Sequence, residues 1–285
     1  IAGAFQGDAD NSRNHISYGV DMREIPTDNI ERVEVVRGIP SVKYGELTSG
    51  LINITRKRSQ TPLQIRLKAD EYGKLISAGK GFLLAEKWNL NVDGGLLDAR
   101  KEPRNQFETY KRLTFSARIQ RKWKLGEHNI LEWNGATDYA LNVDNVKTDP
   151  EIQIHKEDRY RSSYLKIGMN NRIVYRRLLP LGLQRASFAY TASVAFDKIH
   201  QTEAVALQRD YVVPLAYESG EYDGLFLPFQ YISNYRVEGI PFYTTFRGET
   251  EWTAQTALIN HRITAGGEFM LNKNYGRGQI FDITR

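Results

Sequence analysis

Two stretches of this sequence gather residues able to do chemistry. From Glu31 to Arg37 charged side chains alternate with apolar ones: Glu31, Arg32, Glu34 and Arg37 stand around Val33, Val35 and Val36. Such a run offers ion pairs and hydrogen bonds, worth about 0–1 kcal/mol each in a hydrated setting. It offers neither a nucleophile nor a proton-transfer pair. The second stretch, 200–235, sets Tyr211, Tyr217, Tyr222, Phe226, Phe229 and Tyr231 among Glu218, Glu221 and Asp223. Aromatic faces stack on, and carboxylates hydrogen-bond to, a sugar or a chelate. The same residues could equally pack a loop against its neighbours.

Other chemistries find little support. His15, His128, His155, His200 and His261 are scattered without ligand spacing, and cysteine is absent, which excludes disulfides and thiolate metal sites. Gly7-Asp8-Ala9-Asp10-Asn11-Ser12 lacks the glycine and closing glutamate of a calcium loop. Gly276-Arg277-Gly278 has no strand-to-helix context for a phosphate loop, and no G-x-S-x-G elbow occurs. No catalytic residue, metal or cofactor is therefore expected. With 41% hydrophobic and 26% charged residues among 285, the chain can build a sizeable core. Its net charge of +5 comes from interspersed signs, which argues against nucleic acid.

The elements that must position these residues are strands. Leu113, Phe115, Ala117 and Ile119 alternate with Arg112, Thr114, Ser116, Arg118 and Gln120. Phe188, Tyr190, Ala192, Val194 and Phe196 repeat the pattern, as do Ile263, Ala265, Gly267, Phe269 and Leu271. Several runs exceed the roughly 5–6 residues of ordinary strands and reach the ~9–11 that a tilted strand needs to cross a bilayer. One face is apolar and the other charged, which suits lipid outside and water inside. Connections alternate as well. Tight turns are expected at 84–87, 124–127, 178–184 and 260–261, and long loops at 98–109, 144–159 and 200–235, as a membrane barrel sorts them. About nine strands are countable. An odd number predicts that the barrel continues beyond residue 285, since a barrel must close. Trp88, Trp123, Trp133 and Trp252, in or at the ends of strands, are candidates for an interfacial girdle.

Residues 1–60 break this pattern. Ile30-Glu31-Arg32-Val33-Glu34-Val35-Val36-Arg37-Gly38, then Ser41, Tyr44 and Gly45, then Gly50-Leu51-Ile52-Asn53-Ile54, resemble the end of the plug domain of TonB-dependent outer-membrane receptors. Pro40 falls one place late, the small-residue stretch is one residue short, and Ser49 replaces a glycine. The resemblance implies a mainly β fold: part of a transmembrane antiparallel β-barrel of 22 strands, with the end of an N-terminal plug at 1–60 and the first part of the barrel at 61–285. It implies an outer-membrane importer of a siderophore, cobalamin, haem, peptide or glycan, not an enzyme. TonB and its proton-driven inner-membrane complex would energise it. Outer-membrane lipid, the nutrient and a surface lipoprotein would be its further partners. The alternative is a non-transporting, receptor-like barrel that serves as a scaffold or surface-binding component of an envelope complex. Glu31, Arg32, Glu34, Arg37, Gly38, Tyr44, Gly45, Gly50 and Asn53 would form the plug motif, its charges facing lumen groups such as Arg66, Lys68, Arg118 or Glu132. Tyr211, Tyr217, Glu218, Tyr222, Asp223, Phe229 and Tyr231 would be the substrate loop.

Overall fold

The computed structural model describes residues 29–38, 50–84, 87–100, 107–148, 151, 158–216, 218–257 and 259–284. Tyr44, Gly45, Tyr217, His15, His155 and the 7–12 segment lie outside them. No helix occurs among the described residues. The strands run β1 (Ile30–Arg37), β2 (Gly50–Arg56), β3 (Thr61–Ala69), β4 (Gly73–Leu84), β5 (Trp88–Ala99), β6 (Glu108–Lys124), β7 (Asn129–Lys147) and β8 (Arg159–Arg177). They continue with β9 (Gly182–Ala206), β10 (Tyr211–Pro214), β11 (Gly224–Leu227), β12 (Gln230–Gly239), β13 (Pro241–Thr256), β14 (Ile259–Asn274) and β15 (Gly278–Thr284).

Three sheets result. β1 and β2 pair alone, as do β10 and β11. Everything else forms one antiparallel sheet in the order β3, β4, β5, β6, β7, β8, β9, β13, β14, so chain neighbours are mostly space neighbours. β12 and β13 lie end to end along β9: β13 pairs with its first half and β12 with its second. β14 and β15 repeat this against β13 and β12. Counting each end-to-end pair once gives nine crossings, the number the alternation predicts. The sheet is open at β3 and β14.

Gly276 marks the joint between β14 and β15. A side chain there would collide with the Glu238 carbonyl. Asn274 Oδ1 accepts the amides of Ile240 and Gly276, both at 2.9 Å, and Tyr275 N–H donates to Ile240 O. The Gly-Arg-Gly run is thus a β-bulge that keeps two strand halves in line.

Register sorts the side chains into two unlike faces. Leu67, Ile76, Leu96, Leu113, Leu141, Leu165 and Phe196 sit opposite one another across seven strands. Two residues along comes Ile65, Ala78, Gly94, Phe115, Tyr139, Ile167, Val194 and Phe242. This face is bare: Leu67 is 73% exposed and Phe269 61%. The intervening residues carry Ser77, Asn91, Asp93, Thr114, Ser116, Arg118, Glu132 and Asn142, all buried. Among the described residues the buried apolar ones are Tyr160, Val174, Ala195 and Pro241, with Gly81 and Gly135. A water-soluble sheet buries its leucines and exposes its charges; here the assignment is reversed.

The two ends differ too. Short connections at 85–87, 125–128, 178–181 and 257–258 gather at one end, and those at 70–72, 100–107, 148–158 and 207–229 at the other. The connection at 70–72 is short although it lies on the long-loop side, because Asp70 closes it by accepting the amides of Tyr72 and Gly73. Two expectations are corrected. The last tight turn falls at 257–258, with Asn260 and His261 already in β14. The 200–235 loop shrinks to 207–229, since β9 runs on to Ala206 and β12 begins at Gln230.

Among the described residues no helix is long and apolar enough to cross a membrane, which says nothing of strands. At the short-turn end of the bare face, the Trp88 ring meets those of Trp123 and Trp133 edge-on at 6.2 and 5.8 Å. The Arg121 guanidinium stacks over Trp88 and Trp123 at 4.6 and 4.8 Å. Trp252 lies toward the same end of β13, opposite Ile263.

Candidate functional site

The polar face holds two features able to act, a seat for the segment that enters the sheet and a patch of tyrosines near the long loops. The seat is built around Arg56, the last residue of β2, and the link 57–60 that leads into β3. Arg56 Nη1 donates to Asp138 Oδ1 at 2.5 Å and to Ser116 Oγ at 3.2 Å. Arg118 Nε donates to the Lys57 carbonyl at 3.1 Å, and Asn91 Nδ2 to the Ser59 carbonyl at 2.8 Å. Arg58 lies in the fields of Arg118, Arg172, Glu132 and Asp138. β4 leaves room for this crossing. A Cβ at Gly81 would sit 2.5 Å from the Ser59 carbonyl, and one at Gly79 3.0 Å from the Asn29 side chain. Under the crossing, Arg118 pairs with Asp93, the side chains only 2% and 9% exposed. Burying two charges is unfavourable unless they meet, and each would be costly without the other.

The β1–β2 hairpin hangs from this seat. Its register pairs Val33 with Ile54, Val35 with Ile52 and Arg37 with Gly50. Gly38 and Gly50, at φ 84° and 132°, take backbone angles that other residues rarely adopt. Its charges are exposed and meet each other: Arg32 lies 4.0 Å from Glu34, which accepts from Asn53 at 3.3 Å. No ion pair among the described residues joins Glu31, Arg32, Glu34 or Arg37 to the sheet. The lumen groups expected to receive them are otherwise engaged. Lys68 pairs with Asp70 at 2.7 Å, Arg118 with Asp93, and Glu132 with Arg176 at 3.5 Å. The contact between hairpin segment and sheet is carried instead by Arg56 and Asp138. No periodicity announces that pair, because 82 residues separate its members.

The second feature corrects the aromatic loop. Tyr211 belongs to β10, paired with Leu227 of β11, and Phe229 donates its amide to Asp210 Oδ1 at 2.7 Å. Tyr222, Asp223 and Glu218 are exposed beside this small hairpin. Tyr231 is not in the loop; it lies in β12, paired with Val205 of β9. Register puts Tyr231 and Tyr235 on the polar face, where Tyr235 stands opposite Gln201, itself opposite Tyr160 of β8. Tyr164 faces Asp197 in the same manner, and Tyr110 on β6 donates its hydroxyl to Asn142 at 3.2 Å. Tyr110, Tyr160, Tyr164, Tyr231 and Tyr235 therefore share one face at the long-loop end. Sequence reasoning missed four of the five. The signal was there: Tyr160 and Tyr164, like Tyr231 and Tyr235, are spaced so that both members of a pair lie on one side of a strand.

Among the described residues no group of three or more His, Asp or Glu converges on a metal-sized site. No family model and no curated protein matches the sequence. Among solved structures the chain is similar to the siderophore receptor PiuA from Acinetobacter baumannii, with 8% identity and a TM-score of 0.36. The match covers 86% of this chain and 51% of that one, so the chain spans about half of that receptor's length.

Proposed function

We propose that this chain is part of an outer-membrane receptor that takes up a nutrient through a β-barrel closed by a plug. One observation carries the reading: the sheet exposes its leucines and phenylalanines and buries its charges against a segment that enters from outside the sheet. A lipid-embedded barrel with an occupied polar lumen requires that arrangement. Residues 1–60 then end the plug and 61–285 begin the barrel. Arg56 and Asp138 fasten the two, and the motif from Glu31 to Asn53 supplies the plug's last hairpin. The open edges at β3 and β14 take the remaining strands, up to the 22 of such barrels.

In this reading the tyrosine face lines the mouth of the lumen, below the β10–β11 hairpin. Phenol rings stack on a planar or sugar-like ligand while their hydroxyls, with Asp197 and Glu203, accept and donate hydrogen bonds. Nothing covalent is needed. Movement requires that the plug's contacts give way, and the partly exposed Arg56–Asp138 pair and the hydrogen bonds to the Lys57 and Ser59 carbonyls are each weak enough to do so. TonB pulling from the periplasm, driven by the inner-membrane proton gradient, supplies the work.

The test is uptake of candidate nutrients by cells carrying the full-length gene, with and without a protonophore. Gradient-dependent uptake that falls at least tenfold when Tyr231 and Tyr235 are both changed to alanine is the expected result. Nutrient binding with no uptake under any condition would overturn transport in favour of a scaffold.

A further inference from the structure

The bare face changes character at one height. Leu165 and Phe196 close its apolar part on β8 and β9. Two residues further toward the long loops, Ser163, Lys198 and Glu238 stand opposite one another, and two beyond that, Arg161, His200 and Arg236. These six side chains line a cavity of about 360 Å³. Arg161, Lys198, His200 and Arg236 are all exposed, and none joins an ion pair among the described residues. The one carboxylate, Glu238, has Arg277 3.9 Å away, so a further cation flanks the cavity. Arg159 and Lys147, paired across β8 and β7, extend the positive field upward on the same face.

A surface meant only for water has no reason to collect cations and leave them unpaired on the lipid-facing side. A surface at a membrane boundary does, because anionic headgroups sit at that height. From this geometry we infer that Arg161, Lys198 and Arg236 form a binding site for a phosphate-bearing lipid headgroup in the leaflet on the long-loop side. Arginine forks match phosphate oxygens bidentately, and the lysine adds a point charge. The acyl chains lie against Leu165 and Phe196, one register step below, about 7 Å along the strand at ~3.3 Å per residue. The order matters. A soluble anion needs only the cations, whereas an amphiphile needs cations and apolar row in this vertical sequence. The inference rests on the membrane reading proposed above.

The experiment places the full-length protein in phosphatidylcholine nanodiscs doped with phosphatidic acid and measures the lipid each protein retains after detergent exchange. Phosphatidic acid should be enriched over phosphatidylcholine, and millimolar inorganic phosphate should not displace it. Arg161→Gln, Lys198→Gln and Arg236→Gln should each lower the enrichment about fivefold, the conversion of roughly 1 kcal/mol per basic side chain near a charged membrane surface. Glu238→Gln should raise it, a gain that misfolding cannot imitate. Unchanged enrichment in the triple variant, or displacement by inorganic phosphate, overturns the lipid site. Entry into nanodiscs with no preference for phosphatidic acid overturns the site alone. A protein that stays in aqueous buffer and never enters the discs overturns the membrane reading and the site with it.

Discussion

Lys166 and Ile167 are adjacent on β8, yet they live in opposite surroundings. Ile167 is 41% exposed and stands between Tyr139 and Val194 on the bare face. Lys166 shares the other face with Asp138 and Arg118, among side chains that pair and hydrogen-bond. The contrast holds from β4 to β9, and it shows where each kind of stabilisation resides. On the polar face, cohesion comes from charges satisfying each other in a poorly hydrated space. On the bare face the apolar area stays exposed; under the membrane reading proposed above its solvent is itself apolar, and the leucines then contribute little to folding in water and much in lipid.

The sharpest test of the polar face is Arg118→Ala, which strands Asp93 at a buried position. Removing one member of a buried pair costs about 3–5 kcal/mol, so the urea midpoint of the full-length protein in detergent micelles should drop markedly. A loss below about 1 kcal/mol would mean that this face is wet and the pair superficial. Next in size is the bare face itself. Ile167→Lys should cost about 2–4 kcal/mol in folding equilibria measured in lipid vesicles, the usual penalty for a cation near the bilayer midplane. Lys166→Gln, one residue away, should cost well under 1 kcal/mol in the same assay; equal penalties would erase the distinction between the faces. The smallest effect belongs to the seat. Arg56→Gln removes a partly exposed ion pair worth about 1 kcal/mol. Hydrogen exchange at the Lys57 amide, which donates to Asn29 O, should speed up about fivefold while the β6 and β7 amides stay protected.

How much of this was legible in the sequence depends on position along the strands. Where one face is apolar and the other polar, alternation is strict, so β6, β7 and β8 stand out in the sequence. Toward the long loops both faces carry polar side chains. Gln201, Thr202, Glu203 and Ala204 then carry no period-two signal, although they pair residue by residue with Asn234, Ser233 and their neighbours. That is why 200–235 looks like a loop and is largely strand. The bulge at Gly276 was visible as Gly-Arg-Gly without its purpose, because the colliding carbonyl belongs to another strand. Arg118 could be placed on the polar face from alternation alone. Its partner could not be chosen, since Asp93, Asp138 and Glu132 all satisfy the same pattern and only register decides among them.

The length of β9 has a mechanical consequence. Its 25 residues make a strand of about 80 Å at ~3.3 Å per residue, whereas the apolar band of such barrels is about 25 Å tall. If the proposed membrane setting holds, then even at a tilt of about 45° more than half of β9 and the partners bonded to it stand clear of the bilayer as a hydrogen-bonded palisade. Groups mounted on a stiff wall lose little freedom when something settles against them. Whatever meets the tyrosines there meets a surface whose ordering was completed when the chain folded.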